Sequence, residues 1–302
     1  MNVDAMSSFL CELCGSSNTR FAFFVKDNNR RVDNAEYKVM RCEECGVGFT
    51  LPKLSAQELS RYYTNEYYSL DGNMKLEAAT RPHNQTRVEK IRRFVREGKL
   101  LDVGAGTGMF LKTAKENGFD AEGLEISADA AAFGNATWGL NIRQGNLHET
   151  PLPPECYDVV TLGHVLEHLH KPHDAISRLH SILKRNGLLV VAVPNFASMQ
   201  AALFGSHWFH LDVPRHLFHY TPANINALVE GKGFTVVGIN YFSAEHNWAG
   251  FLGSVMKLGR PGETFPHKVA RKVFGVPVAR ALACGESALK RGGTFEVYAI
   301  KQ

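Results

Sequence analysis

The stretch "KLLDVGAGTG", Lys99 to Gly108, decides the fold of this chain. A short apolar run ends in a glycine-rich turn, the grammar of a strand delivering the chain to a helix start. "MFLKTAKENG" follows as a helix and "FDAEGLEIS" as a strand. The alternation continues through "ADAAAFGNATWG", "LNIRQGN", "YDVVTLGHV", "PHDAISRLHSILKRNG" and "LLVVAVPN". Strands alternating with helices predict an α/β domain built on a doubly wound, Rossmann-like, mostly parallel sheet. Ligands of such sheets bind beyond the carboxyl ends of the strands.

The turn carries Gly104, Ala105, Gly106 and Gly108, with Asp102 before it. A dinucleotide fingerprint needs a small residue at position 109, and Met109 is too large for that close approach. Glu125 ends the second strand, where a carboxylate can accept from both hydroxyls of a ribose. Asn146 and Leu147 follow the third strand at the expected adenine edge. From Lys99 to about Ile239, with a last strand at "TFEVYAIK", the chain resembles a class I S-adenosylmethionine-dependent methyltransferase. The resemblance implies that Gly104, Ala105, Gly106 and Gly108 approach the methionine part of S-adenosylmethionine and that Glu125 binds its ribose. It adds Asp102, Ile126, Leu147 and His164 to the cofactor-binding set. Asn146 departs from the common aspartate at the adenine position, where its amide oxygen can hold the adenine amino group. A methionine carboxylate suits backbone N–H groups at a helix start. The sulfonium is already activated, so the protein mainly aligns a nucleophile and excludes water.

Six cysteines are present, and four form the pairs Cys11/Cys14 and Cys42/Cys45 in "CELCG" and "CEECG". Two such turns supply four thiolates, a closed tetrahedral site that suits structural Zn²⁺. The glycine after each pair lets the backbone bend so that amides point at the sulfurs. Residues 1–52 therefore read as a module that resembles a zinc ribbon. Residues 53–98 read as a helical connector or lid, with a serine cap at "SAQELSRYY" and Val88, Ile91 and Phe94/Val95 on one face. Tyr67 and Tyr68 either pack there or help cover a ligand. Residues 99–302 form the methyltransferase-like domain, interrupted at 195–220 and 243–292.

A net charge of +4 over 302 residues is too mild for a dedicated nucleic-acid surface. Neither a basic-then-apolar leader nor a long apolar span is visible, so the cytosol is the expected compartment. The basic stretch 266–291 reads as two amphipathic helices on the domain, or as a weak membrane-surface contact.

"LGHVLEHLHKP" follows the fourth strand and places His164, Glu167 and His168 at its carboxyl end. "HWFHLDVPRHLFH" follows the fifth and offers His207, His210 and His216 with Asp212 and Arg215. Three readings of that second segment stay open: a metal site from His207, His210 and Asp212; an acid/base and acceptor site; or a structural loop in which Asp212 pairs with Arg215 over Trp208, Phe209, Leu217 and Phe218. A hydroxyl acceptor needs a base, usually histidine or a carboxylate. The catalytic candidates are Glu167, His168, His207, His210 and His216. The resemblance favours methyl transfer to oxygen on a small polar acceptor, with a sugar or a nucleotide- or lipid-linked sugar preferred. RNA methylation with the ribbon as reader, and transfer to carbon or nitrogen of another metabolite, are the alternatives.

Overall fold

The computed structural model describes residues 10–63, 73–243, 246–258 and 275–302. Tyr67, Tyr68 and the first part of the basic stretch 266–291 lie outside the described residues.

The N-terminal module forms three short strands: β1 (Thr19–Lys26), β2 (Glu36–Cys42) and β3 (Gly48–Leu51). They pair antiparallel in that order. The two cysteine turns stand at one end. Cys11 Sγ lies 3.7 Å from Cys45 Sγ, and Cys14 Sγ lies 3.6 Å from Cys42 Sγ. Four thiolates around one zinc at ~2.3 Å stand ~3.8 Å apart, so the set fits a structural Zn²⁺. Amides of Leu13 and Cys14 point at Cys11 Sγ, and those of Glu44 and Cys45 point at Cys42 Sγ.

Two helices follow, α1 (Ala56–Ser60) and α2 (Asn73–Ile91). Ser55 caps α1 with a full capping box, because Glu58 at the third position returns to the Ser55 amide. On α2, Val88 and Ile91 are fully buried. The helix ends at Ile91, so Phe94 leaves the apolar face expected for it, is largely exposed and stacks on Tyr298.

The larger sheet comes next. Its elements are β4 (Gly98–Val103), α3 (Met109–Glu116), β5 (Phe119–Glu125), α4 (Ala128–Trp138), β6 (Ile142–Gln144), β7 (Tyr157–Gly163), α5 (Pro172–Ile182) and β8 (Leu183–Pro194). After α6 (Met199–Phe204) and β9 (Phe218–His219) come α7 (Pro222–Glu230), β10 (Phe234–Asn240), α8 (His246–Leu258), α9 (Val276–Ala288) and β11 (Thr294–Lys301). The seven strands run β10-β11-β8-β7-β4-β5-β6. All neighbouring pairs are parallel except those of β11, which runs antiparallel between β8 and β10. Leu100 and Leu101, Val159 and Val160, and Leu188 to Val191 are fully buried. Unbroken burial along a strand means that both sheet faces are covered. β4 and β7 are neighbours whose chains leave toward opposite ends of the sheet, which makes their carboxyl ends the switch point where ligands bind.

Segment 195–220 does not simply overhang that end. β9 pairs antiparallel with β3, Phe49 facing Phe218 and Gly48 facing His219, and so joins the N-terminal sheet as its fourth strand. Toward the C-terminus, α9 buries Ala279, Ala283 and Glu286 and leaves Val276, Val278 and Leu282 exposed. Among the described residues, no helix is long and apolar enough to cross a membrane.

Candidate active site

The glycine turn sits between β4 and α3, with Gly104, Gly106 and Gly108 all at positive φ. A Cβ on Gly104 would stand 2.3 Å from a Val165 methyl, whereas nothing lies within 4 Å of one on Gly106. The turn is closed on the Val165 side and open at Gly106, which leaves backbone that a ligand can approach. The Gly106 amide donates to Glu125 Oε2 at 2.8 Å and the Ser127 amide donates to Oε1 at 2.9 Å. These two amides fix the buried Glu125 carboxylate at the carboxyl end of β5, the place the resemblance gives to the ribose contact. Ile126, beside it, is 65% exposed, a flat apolar surface at the same strand end. Asp102 lies deeper. It accepts from the Thr161 hydroxyl, and burial pushes its carboxyl up to about 6, so it supports the turn from below.

Asn146 is less available than its position implied. Its Oδ1 accepts from the His148 and Glu149 amides at 3.0 and 2.9 Å, and its Nδ2 donates to Glu149. Both lone pairs of the oxygen are in use, so holding an adenine amino group would cost one of these bonds. Leu147 is buried beneath.

A cavity of about 120 Å³ opens at the ends of β7, β8 and β11. Arg87 and Asn84 of α2 line it, with Gly163, His164, His246 and Glu296. The sequence reading missed Arg87, which looked like one polar residue of a connector helix. Its side chain is 8% exposed, with Nε 3.4 Å from Glu296 Oε1 and the guanidinium over the Phe110 ring. Nε and Nη2 have no hydrogen-bond partner among the described residues. Gly163 leaves it room, since a Cβ there would lie 3.0 Å from Nη1. A buried guanidinium with unsatisfied N–H groups is a receptor for an anion such as a carboxylate.

His164 follows β7 in the left-handed region at φ +57°, a conformation uncommon for non-glycine residues that histidine adopts more readily than most. Its Nδ1 lies 3.3 Å from Glu167 Oε1, and its ring packs edge-on to His246. Burial, then the charges of His246 and Arg87, hold His164 well below 6.5, so it is neutral. Glu167 and His168 form the 3-10 turn that follows. Burial pushes Glu167 up to about 7 against the pull of His168.

Segment 207–219 reaches this place through His216. His216 Nδ1 is 3.0 Å from the His210 carbonyl, and its Nε2 faces Glu167 Oε1 at 3.9 Å. The His168 and His216 rings meet edge-on at 4.7 Å. Glu167, His168 and His216 thus form one group whose ligand atoms lie within 4.8 Å of one another. The other two histidines stand apart. His210 Nε2 donates to the His246 carbonyl and burial pulls it down to about 3, the behaviour of a packed, neutral ring. His207 is exposed, beside the Ser206 hydroxyl, and no described contact joins it to the Glu167 group. The metal set His207, His210 and Asp212 does not assemble, because Asp212 is bound by Arg215 Nε and Nη2. Burial alone would raise Asp212, but the Arg215 bonds and charge hold it far below the usual carboxylate range.

The family model described as methyltransferase domain matches residues 74–239, and the chain belongs to that family. S-adenosylmethionine is the family's cofactor, and the open turn at Gly106, the carboxylate of Glu125 and the unsatisfied N–H groups of Arg87 fit it. The chain is similar to the ubiquinone biosynthesis O-methyltransferase of Psychrobacter arcticus, 26% identical over 164 residues, covering 47% of this chain and 62% of that protein. The corresponding enzyme of Rhodopseudomonas palustris is 26% identical over 149 residues, covering 46% and 58%. The chain spans about half to three-fifths of the length of the first curated relatives it matches. Among solved structures, a SAM dependent methyltransferase from Archaeoglobus fulgidus shares the fold, with a TM-score of 0.50 and 23% identity over 72% of this chain and 92% of that one.

Proposed function

We propose that this protein moves the methyl group of S-adenosylmethionine to an oxygen of a small polar acceptor, a sugar or linked sugar in particular. The observation that carries the reading is the Glu167–His168–His216 group standing one turn beyond β7, beside the glycine turn and the Arg87 cavity. When bound, the cofactor supplies a methyl on a positively charged sulfur. Gly104, Ala105, Gly106 and Gly108 hold its methionine end by backbone contacts, and Arg87 binds the carboxylate. Glu125 accepts from the ribose hydroxyls, and Ile126 covers the adenine. His164, neutral and fixed by Glu167, closes the methionine end without adding a positive charge next to the sulfonium.

On the acceptor side, a neutral imidazole with its lone pair toward solvent can take a hydroxyl proton. His168 has this access because it is only half-buried. Oxygen as the accepting atom is supported by the ubiquinone biosynthesis O-methyltransferases among the relatives. The sugar preference is supported by the number of hydrogen-bonding side chains at this end of the sheet. The test has two parts. Calorimetry should detect S-adenosylmethionine, with affinity lost in Glu125→Ala. A screen of polyols, sugars and nucleotide sugars should release S-adenosylhomocysteine with at least one acceptor. Methylation of RNA alone, or of a carbon or nitrogen atom, would overturn the oxygen assignment.

A further inference from the structure

We infer that Glu167, His168 and His216 bind a divalent cation, separate from the ribbon zinc, and that two adjacent oxygens of the acceptor complete its coordination. The inference rests on the reading of this end of the sheet as the acceptor site. Three independent features of the cluster carry it.

The first is ring orientation. His216 Nδ1 lies 3.0 Å from the His210 carbonyl, and His168 Nδ1 lies 3.0 Å from the Arg215 carbonyl and 2.9 Å from the Tyr63 hydroxyl. A carbonyl only accepts and a hydroxyl can also accept, so both His168 contacts are met with the proton on Nδ1. A ring whose Nδ1–H donates to a carbonyl keeps the Nε2 lone pair for a metal, the usual outer arrangement of metal-bound histidine. Both carbonyls come from the same tightly held segment, so both rings are set before any ligand arrives. The second feature is the carboxylate. Glu167 is 1% exposed, and its Oε2 has no hydrogen-bond partner among the described residues. A buried oxygen left in that state is costly, and a cation is a partner that satisfies it. The third is convergence: one carboxylate oxygen and two imidazole nitrogens approach within 4.8 Å of one another, and the half-buried His168 leaves an entry path.

Two imidazoles and a carboxylate suit zinc, manganese, cobalt or ferrous iron, unlike the all-thiolate ribbon. Three protein ligands leave positions open, the mark of a reactive rather than a structural site. A vicinal diol, aliphatic or aromatic, would fill two of them. In a hydroxyl held this way the O–H bond breaks with its electron pair left on the metal-bound oxygen. The proton passes to solvent, so with the cation in place His168 serves as a ligand and the base role given to it above is not required.

Cobalt(II) titration of the full-length protein separates the two sites. Thiolate-bound cobalt gives an intense charge-transfer band, and cobalt held by nitrogen and oxygen does not. The expected result is two equivalents per chain, only one with the thiolate band. Glu167→Gln and His216→Ala should each weaken the second equivalent ~100-fold or more while leaving the first intact. Retention of the thiolate band and of S-adenosylmethionine binding shows that each variant is folded. Should His216→Ala fail to fold, the near-isosteric Glu167→Gln decides, and should Glu167→Gln fail, His216→Ala decides. A single equivalent, or a second one indifferent to both variants, overturns the inference. Methyl transfer to oxygen that continues at full rate with only the ribbon metal present also overturns it, and leaves the oxygen reading standing. Two equivalents without any S-adenosylmethionine binding would sink the oxygen reading instead.

Discussion

Arg87 is the residue on which the proposed cofactor end turns. Among the described residues it is the one arginine or lysine lining the cavity, and its charge is only partly answered by Glu296. Removing it should cost the hydrogen bonds of a charged pair, so Arg87→Met is expected to weaken S-adenosylmethionine binding ~10–100-fold. Glu296 keeps Lys90 at 3.7 Å, so the fold should survive the change. Calorimetry on the variant decides, and an unchanged Kd would remove Arg87 from the site. Nothing local in "NQTRVEKIRR" marks this arginine, because its burial depends on Phe110 and Glu296, which lie far along the chain. The positions of Glu125 and the glycines were legible for the opposite reason. Each stands where a strand marked by its own local pattern ends, the glycines after β4 and Glu125 at the end of β5.

At the level of elements, the decisive piece is the segment that ends in β9. Arg215 is fully buried, its Nη2 2.8 Å from both Asp27 Oδ1 and Asp212 Oδ1. Asp27 belongs to the turn after β1, so one guanidinium ties the N-terminal module to the segment that carries His216. Arg215→Met would leave the buried Asp27 and the half-buried Asp212 without their arginine and should cost about 3–5 kcal/mol in chemical denaturation. A loss below about 1 kcal/mol would mean that the pair contributes little. The same junction has a pH signature. His219 is buried beside the Thr50 hydroxyl, and burial pulls it down to about 3. Its unfolded form takes a proton near 6.5, well before the folded form does. Stability from this group is therefore complete above pH 6.5 and falls as pH drops toward 3. The stability difference between wild type and His219→Gln should narrow by about 1.4 kcal/mol per pH unit across that window. A flat difference would show that His219 is already protonated in the fold. The sequence carried the Asp212–Arg215 pair, which is three residues apart, but not Asp27 or the pairing of β9 with β3. A two-residue strand has no periodicity to read, and its partner lies more than 160 residues away.

For the whole molecule, these ties make the zinc module a wall of the proposed acceptor site. The exposed His170 and the half-buried His173 bond the Leu54 and Leu13 carbonyls with their Nε2 atoms and add to the seam. Thr50 of β3 donates to the His216 carbonyl at 2.7 Å, and its amide donates to the Leu217 carbonyl at 3.0 Å. The Leu217 amide in turn donates to the Glu167 carbonyl at 2.8 Å. A short run of backbone bonds thus leads from the ribbon to the Glu167 group. The glycine turn, Glu125 and Arg87 stand on β4, β5 and α2 and have no such dependence. A small module with a closed thiolate site derives its folding free energy from the metal. Replacing Cys42 and Cys45 by serine should therefore divide the molecule's functions. Hydrogen exchange at Thr50, Leu217 and Phe218 is expected to rise, and acceptor turnover to fall at least ~10-fold, as positioning is lost. S-adenosylmethionine affinity should change less than about threefold. Equal loss of cofactor binding and turnover would mean that the module supports the entire fold, and undiminished turnover would mean that the wall is dispensable.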